Sequence, residues 1–371
     1  MLDNESFNLI ADYWLSRVGL ATGQWCPCCR SENVKKFGHS AAGSQRHRCN
    51  HCGKTFTGVS YSDHALSRFE ALKHWMSSKT SIAPETDLKL SAVQIDRSFE
   101  SLETISLAEM HNLAIAEDVA TTYLKVPYKG QANFLWFLVS SDIASGRILH
   151  ISSTFIPFIL PKSGCYQWDI PELGEEIVDE GNRAIVQAEH RENVFLKRTQ
   201  FDRIYYGKTL LKNKNYRAAL PVLIAHCHFL VLSKLGHGRN RHCLTHEMFF
   251  RGACITQYSK YVKAEGTSIF YVVGACDTKT KLSGQKYVGW WRNLWHEFED
   301  SKGRTMALSR VCGNKALPIS MIAFDPISEF KEQLCASFSQ FEMIAPKRVV
   351  SMVICSSQTG HRIKRHIVFQ S

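Results

Sequence analysis

Nowhere in the 371 residues is there a run of eighteen apolar residues, so no segment is expected to span a membrane. The nearest approach, AALPVLIAHCHFLVLSKL at 218–235, is broken by Pro221, His226 and His228 and reads as a buried helix or strand. The start, MLDNESFNLIADYW, lacks the basic residues ahead of an apolar core that a secretory leader requires, which predicts a cytoplasmic chain. Absent too are a phosphate-cradling glycine loop, an HExxH pair and a GxSxG elbow, which removes the commonest ATPase, metalloprotease and hydrolase readings. A disulfide framework is not expected either. Of 13 cysteines, five cluster at Cys26, Cys28, Cys29, Cys49 and Cys52 and the others are scattered. In a reducing compartment that pattern gives a metal site plus unpaired core thiols.

What is present is an ordinary globular composition, 44% apolar and 21% charged, carrying a formal charge of +11. The positive charge sits in blocks. Residues 26–56 hold six Lys/Arg against one acid, GKTLLKNKNYR (207–217) adds four, and the tail 346–371 has five with no acid. Basic blocks interleaved with Tyr, Trp and His point to a polyanion partner, most often nucleic acid.

The segment WCPCCRSENVKKFGHSAAGSQRHRCNHCGKTF (25–56) explains the first block. Each CxxC turn places two sulfurs on one side of an ion, and two such turns close a tetrahedral zinc site. Cys26, Cys29, Cys49 and Cys52 have the C-x2-C-x(15–20)-C-x2-C spacing. Gly53 permits the turn after the last ligand, and Phe56 can cover the metal. VKKFGHS and SQRHRC read as short strands, so the module is a zinc ribbon. Cys28 is a spare thiol that could replace Cys29, while His47 and His51 are alternative ligands. Lys35, Lys36, Arg46 and Arg48 would meet phosphate.

GSQRHRCNHCGKTF, preceded by CPCC and a basic stretch, resembles the N-terminal zinc ribbon of bacterial insertion-sequence transposases over about 30 residues. The resemblance implies an RNase H-like core of DDE type, double-stranded DNA as partner, and magnesium-dependent strand cleavage and transfer. Assembly as a homo-oligomer on DNA is left open. In the helical stretch 64–119, LSAVQIDRSF and ESLETISLAEMHNLA have the arrangement of a helix-turn-helix, although Glu103 and Glu109 on the second helix suit a plain spacer equally.

For the core, NFLWFLVSSDIASGRILHISSTF (133–155) reads as a hairpin with Asp142 at the end of its first strand. The resemblance places a first metal-binding Asp on such a strand. The alternative is an Asp that starts the turn and bonds its own backbone. Two magnesium ions roughly 3.5–4 Å apart require further carboxylates. NRHCLTHEMFFRGACITQYSKYVKAEGTSIFYVV (240–273) reads as strand, helix from Met248 to Ala264, Gly266 as stop, and strand. It offers Glu247 after Thr245 and His246, where the family has Asp; Asp202 is the rival second acid, while Asp277 follows the next strand. A third acid is Glu342, near the end of the helix expected in DPISEFKEQLCASFSQFEMIAPKR, with Glu297 and Glu299 as alternatives. His226 and His228 share a face if their segment is a strand. VGWWRNLWHEF suggests an apolar helix face or a base-stacking surface.

These readings give an N-terminal helical segment (1–24), the zinc ribbon (25–60), a helical linker (61–125), an RNase H-like core (126–345) with an insertion at 156–240, and a basic tail (346–371). The fold class is α/β, a mixed sheet flanked by helices. The expected function is DNA strand transfer of transposase type, with structural zinc and catalytic magnesium. The competing reading is a catalytically inactive derivative that binds DNA or regulates; a weaker third is an RNA-binding ribbon protein.

Overall fold

The computed structural model describes residues 4–17, 26, 33–41, 45–57, 89, 115–127, 134–144, 148–156, 184–200, 217–276, 285–288, 292–299 and 305–316. The first described element is helix α1 (Asn4–Arg17). Ile10, Ala11, Tyr13 and Trp14 are buried, a helical spacing that turns one face inward. Next come β1 (Val34–His39), β2 (Gln45–Cys49) and β3 (Thr55–Thr57), an antiparallel three-stranded sheet in sequence order. The first two are the strands read from VKKFGHS and SQRHRC.

The core is an eight-stranded mixed sheet. Strands β4 (Asp118–Pro127), β5 (Phe134–Asp142) and β6 (Ile148–Ser153) form an antiparallel meander. The chain then passes through a short pair, β7 (Phe155–Ile156) with β8 (Arg217–Ala218), and helices α2 (Ala184–Gln200) and α3 (Pro221–Lys234). It re-enters as β9 (Arg241–Thr245), beside β4 and parallel to it. Helix α4 (Met248–Lys263) leads to β10 (Ser268–Cys276), parallel to β9. The antiparallel strands β11 (Gln285–Val288), β12 (Asn293–Glu299) and β13 (Thr305–Cys312) complete the order β11-β12-β13-β10-β9-β4-β5-β6. This is a mixed α/β fold, a sheet flanked by helices, consistent with the RNase H-like core that the resemblance implies.

Burial explains the strands. Leu135 to Ser141 of β5 and all of β6 are buried, the unbroken pattern of strands covered on both faces. Along β10, Ile269, Tyr271 and Val273 join the main core, and the alternating Phe270 and Val272 join a smaller cluster with Ala120, Cys243, Phe298, Met306 and Leu308. Pro221 opens α3 at the first helical position, where its missing N–H costs no helix bond. Ten of its residues are buried, so it is apolar all round, and α1 and α4 pack against it. The thiols of Cys227, Cys243 and Cys254 are free and buried, and burial pushes each above its ordinary range. These are the unpaired core thiols read from the sequence.

Three expectations differ. Strand β4 starts at Asp118, inside the stretch assigned to a helical linker through 125. The histidine-bearing segment is a helix, on which residues two apart point to different sides, so His226 and His228 do not form a strand-type chelate. From Asn293 on, the tryptophan-rich stretch is strand β12, with Trp295 fully buried in the core. The two segments of the expected helix-turn-helix, the helix carrying Glu342, Asp202, Asp277 and the basic tail lie outside the described residues. Among the described residues no helix is long and apolar enough to cross a membrane.

Candidate metal centre and nucleic-acid interface

The sulfurs of Cys26, Cys49 and Cys52 all lie within 4.8 Å of one another. Cys26 Sγ and Cys52 Sγ are 3.5 Å apart, far beyond the ~2.05 Å of a disulfide. Two thiolates on one tetrahedral zinc, at Zn–S of about 2.3 Å, would stand roughly 3.8 Å apart. The turn that carries the second CxxC is built for this. Gly53 adopts φ +71 and donates its N–H to Cys49 O at 3.0 Å, while Cys49 N–H bonds Lys54 O at 2.9 Å. The fold of that loop aims two backbone N–H groups, from His51 (3.3 Å) and Cys52 (3.5 Å), at Cys49 Sγ. Donors directed at a sulfur favour its thiolate form, the form that ligates metal. The cysteine cluster therefore fits a metal ion, and thiolate donors suit zinc. Cys28 and Cys29 lie outside the described residues. His47 is buried with its ring 5.7 Å from that of Phe56.

Strand pairing sorts the ribbon's cations. Lys35 stands opposite Arg48, Lys36 opposite His47, and Val34 opposite Cys49. Side chains alternate along a strand, so Lys35, Arg46 and Arg48 share one face, and Lys36 belongs to the face of His47 and Cys49. Burial agrees: His47 and Cys49 are buried, whereas Arg46 is half-buried and Arg48 exposed. The four residues expected to meet phosphate thus divide three to one.

Of the three acids expected in the core, Glu342 lies outside the described residues, and the strand register places Asp142 and Glu247 apart. Val119 of β4 lies opposite Asp142 on one side and His242 of β9 on the other. Glu247 follows the far end of β9. At about 3.3 Å per residue and ~4.8 Å per strand, Thr245 alone is about 10 Å along the sheet and about 10 Å across from Asp142, with Glu247 beyond it. Carboxylates sharing metals roughly 4 Å apart must converge within about 8 Å. Asp142 Oδ1 instead accepts the N–H of Ala144 at 3.3 Å, the local turn bond that was the alternative reading. Glu297 is buried and accepts the N–H of Ile185 at 3.2 Å, and Glu299 is exposed.

Thr245 ends β9, and its hydroxyl lies 2.9 Å from that of Thr122, midway along the adjacent parallel strand β4. Beyond them His246 Nε2 meets Glu192 Oε1 of α2 at 2.9 Å, both side chains buried. At the opposite end buried Asp118 is clamped by Arg241, whose Nε and Nη2 reach its two oxygens, the latter at 2.6 Å. The Asp118 hydrogen bond raises the Arg241 pKa further, so this acid of the first strand is already neutralised. Between the ends, a buried chain runs from Thr121 to Ser140 (2.7 Å), to His228 Nε2 (2.8 Å), and from His228 Nδ1 to Ser152 (2.8 Å). Burial lowers the pKa of His228, and likewise of His242, to about 3. The sequence reading missed Asp118, Glu192 and this chain. The alternation of Ser, Thr and His within otherwise apolar strands was the available signal.

No family model and no curated protein matches the chain. Among solved structures it is similar to a piggyBac transposase, described as a cryo-EM structure of a synaptic complex with hairpin DNA. The TM-score is 0.33, with 10% identity over 85% of this chain and 70% of that one. A likeness of that size carries no argument about what this chain does.

Proposed function

We propose that the chain is a transposase-related DNA-binding protein whose zinc ribbon docks on double-stranded DNA. The observation that supports it is the division of the ribbon: three cysteine sulfurs converge on one side, and Lys35, Arg46 and Arg48 are grouped on the other. Zinc held by Cys26, Cys49 and Cys52, with Cys29 as the fourth ligand, crosslinks the strands and contributes folding free energy directly. The cations then bind the phosphate backbone without regard to sequence.

For the core, the register favours the reading without magnesium-dependent cleavage. Thr122 of β4 stands beside Thr245 at the end of β9, and Asp142 lies level with the start of β4, away from Glu247. Such a core acts as a scaffold or regulatory partner on DNA. The test uses the full chain, labelled duplex and magnesium. Expected are salt-sensitive binding and no strand cleavage, with Asp142→Asn indistinguishable from the wild type in both assays. Cleavage by the wild type that disappears in Asp142→Asn would restore the strand-transfer reading, since a neutral ligand cannot hold the ion. Affinity indifferent to salt would instead remove DNA as the partner.

A further inference from the structure

The ribbon carries an apolar ring where a solvated basic face has no use for one. Phe37 is 41% exposed, and the chain is bent to present it. Between the pairs Lys36–His47 and His39–Gln45 two residues of β1, Phe37 and Gly38, face one residue of β2, Arg46. That is a β-bulge, which re-aims the side chains around it. Gly38 adopts φ +65, with nothing within 4 Å of where a Cβ would stand, so glycine is required there by backbone conformation and not by space. The Gln45 amide holds the bulge, donating to Gly38 O and Arg46 O, each at 2.8 Å. Two guanidiniums lie over the ring so presented, Arg48 at 5.4 Å and Arg46 at 5.9 Å from its centroid. Arg46 is fixed from a second side by its Nη2 bond to Thr55 Oγ1 at 3.1 Å.

Resting on the reading of the ribbon as DNA-binding, we propose that Lys35, Arg46 and Arg48 around Phe37 form a preorganised clamp for the phosphates of duplex DNA. Phe37 is its positioning residue, and Lys36 stands outside it. An arginine held against an aromatic ring loses less freedom on binding, and its planar fork matches phosphate oxygens. Among the described residues of the ribbon there is no Asp or Glu to compete for these cations. Since the guanidiniums already lie over the ring, the face is suited to phosphates and not to stacking bases.

The test is a salt titration of duplex affinity with full-length protein and a duplex of arbitrary sequence. K35Q, R46Q and R48Q should each lower the log–log slope by about 0.9, and K36Q should leave it unchanged. F37L, which keeps the apolar volume, should retain zinc yet bind about fivefold more weakly, and F37Y should recover the loss. Wild-type affinity in F37L, or a slope change in K36Q equal to that in K35Q, would overturn the clamp. So would a loss in F37L confined to single-stranded overhangs, which would make Phe37 a base-stacking residue. Because these outcomes presuppose a salt-sensitive wild type, they are separable from failure of the DNA-binding reading, in which the wild type itself shows no salt dependence.

Discussion

His228 is fully buried between two serine hydroxyls, one able to donate to a ring nitrogen and the other to accept from the ring N–H. Only the neutral imidazole suits this position, because burial penalises its cation and brings the pKa from 6.5 to about 3. The folded value is depressed below the unfolded one. Its contribution is therefore fully present above pH 6.5 and is lost as pH falls toward about 3. Over that window each pH unit should remove about 1.4 kcal/mol of stability for this residue. His242, whose Nε2 meets His237 O at 2.9 Å, should add a similar slope. Urea unfolding of His228→Gln between pH 6 and 4 should show a pH slope shallower by one proton. An unaltered slope would mean that His228 is charged in the native core.

At the scale of elements, the ribbon and the sheet depend on different forces. Among its described residues the ribbon has three short strands and a few buried side chains, so its stability would come from a crosslinking metal. Cys49→Ser should unfold residues 25–57 and leave the thermal transition of the core in place, with zinc content measured on the purified variant. Stoichiometric zinc in that variant would remove Cys49 from the ligand set. How far each element could be read from sequence follows from where its information lies. The β5–β6 hairpin and the β9–α4–β10 unit were legible because each is bounded locally, by a turn or by Gly266, and its hydrophobic period changes at the boundary. Strand β4 was not legible. DVATTYLKVP follows a helically periodic stretch, and its parallel partner RHCLT lies more than a hundred residues away. The same gap hid the geometry of the acids. An Asp at a strand end is visible in a sequence, but which end of the sheet it occupies depends on pairings that no local pattern encodes. Among the site residues, the cysteines were legible from their spacing, whereas the separation of Lys36 from Lys35 follows only from strand alternation.

For the whole molecule, the deciding feature is that β4 and β9 are neighbours in the middle of the sheet. A fragment ending at Arg239 would retain the ribbon but lack the strand that joins the meander to β10. Such a fragment should bind zinc yet show no cooperative unfolding of a core, measured by denaturant titration; a wild-type transition in it would show that the meander and α3 fold alone. The same adjacency sets a schedule during synthesis. At roughly 5–20 residues per second, the ribosome needs about 6–25 s to carry the chain from Asp118 to Thr245. Until then β4 has one open edge, and for most of that time α1 holds Trp14 and Ile10 ready for α3, which is made only at residues 221–234. The nascent chain therefore spends those seconds with an unpaired strand and an apolar helix face in water, the features that recruit chaperones and invite aggregation. In the cell, the yield of this protein would be set by what shields its first half while the second is being translated.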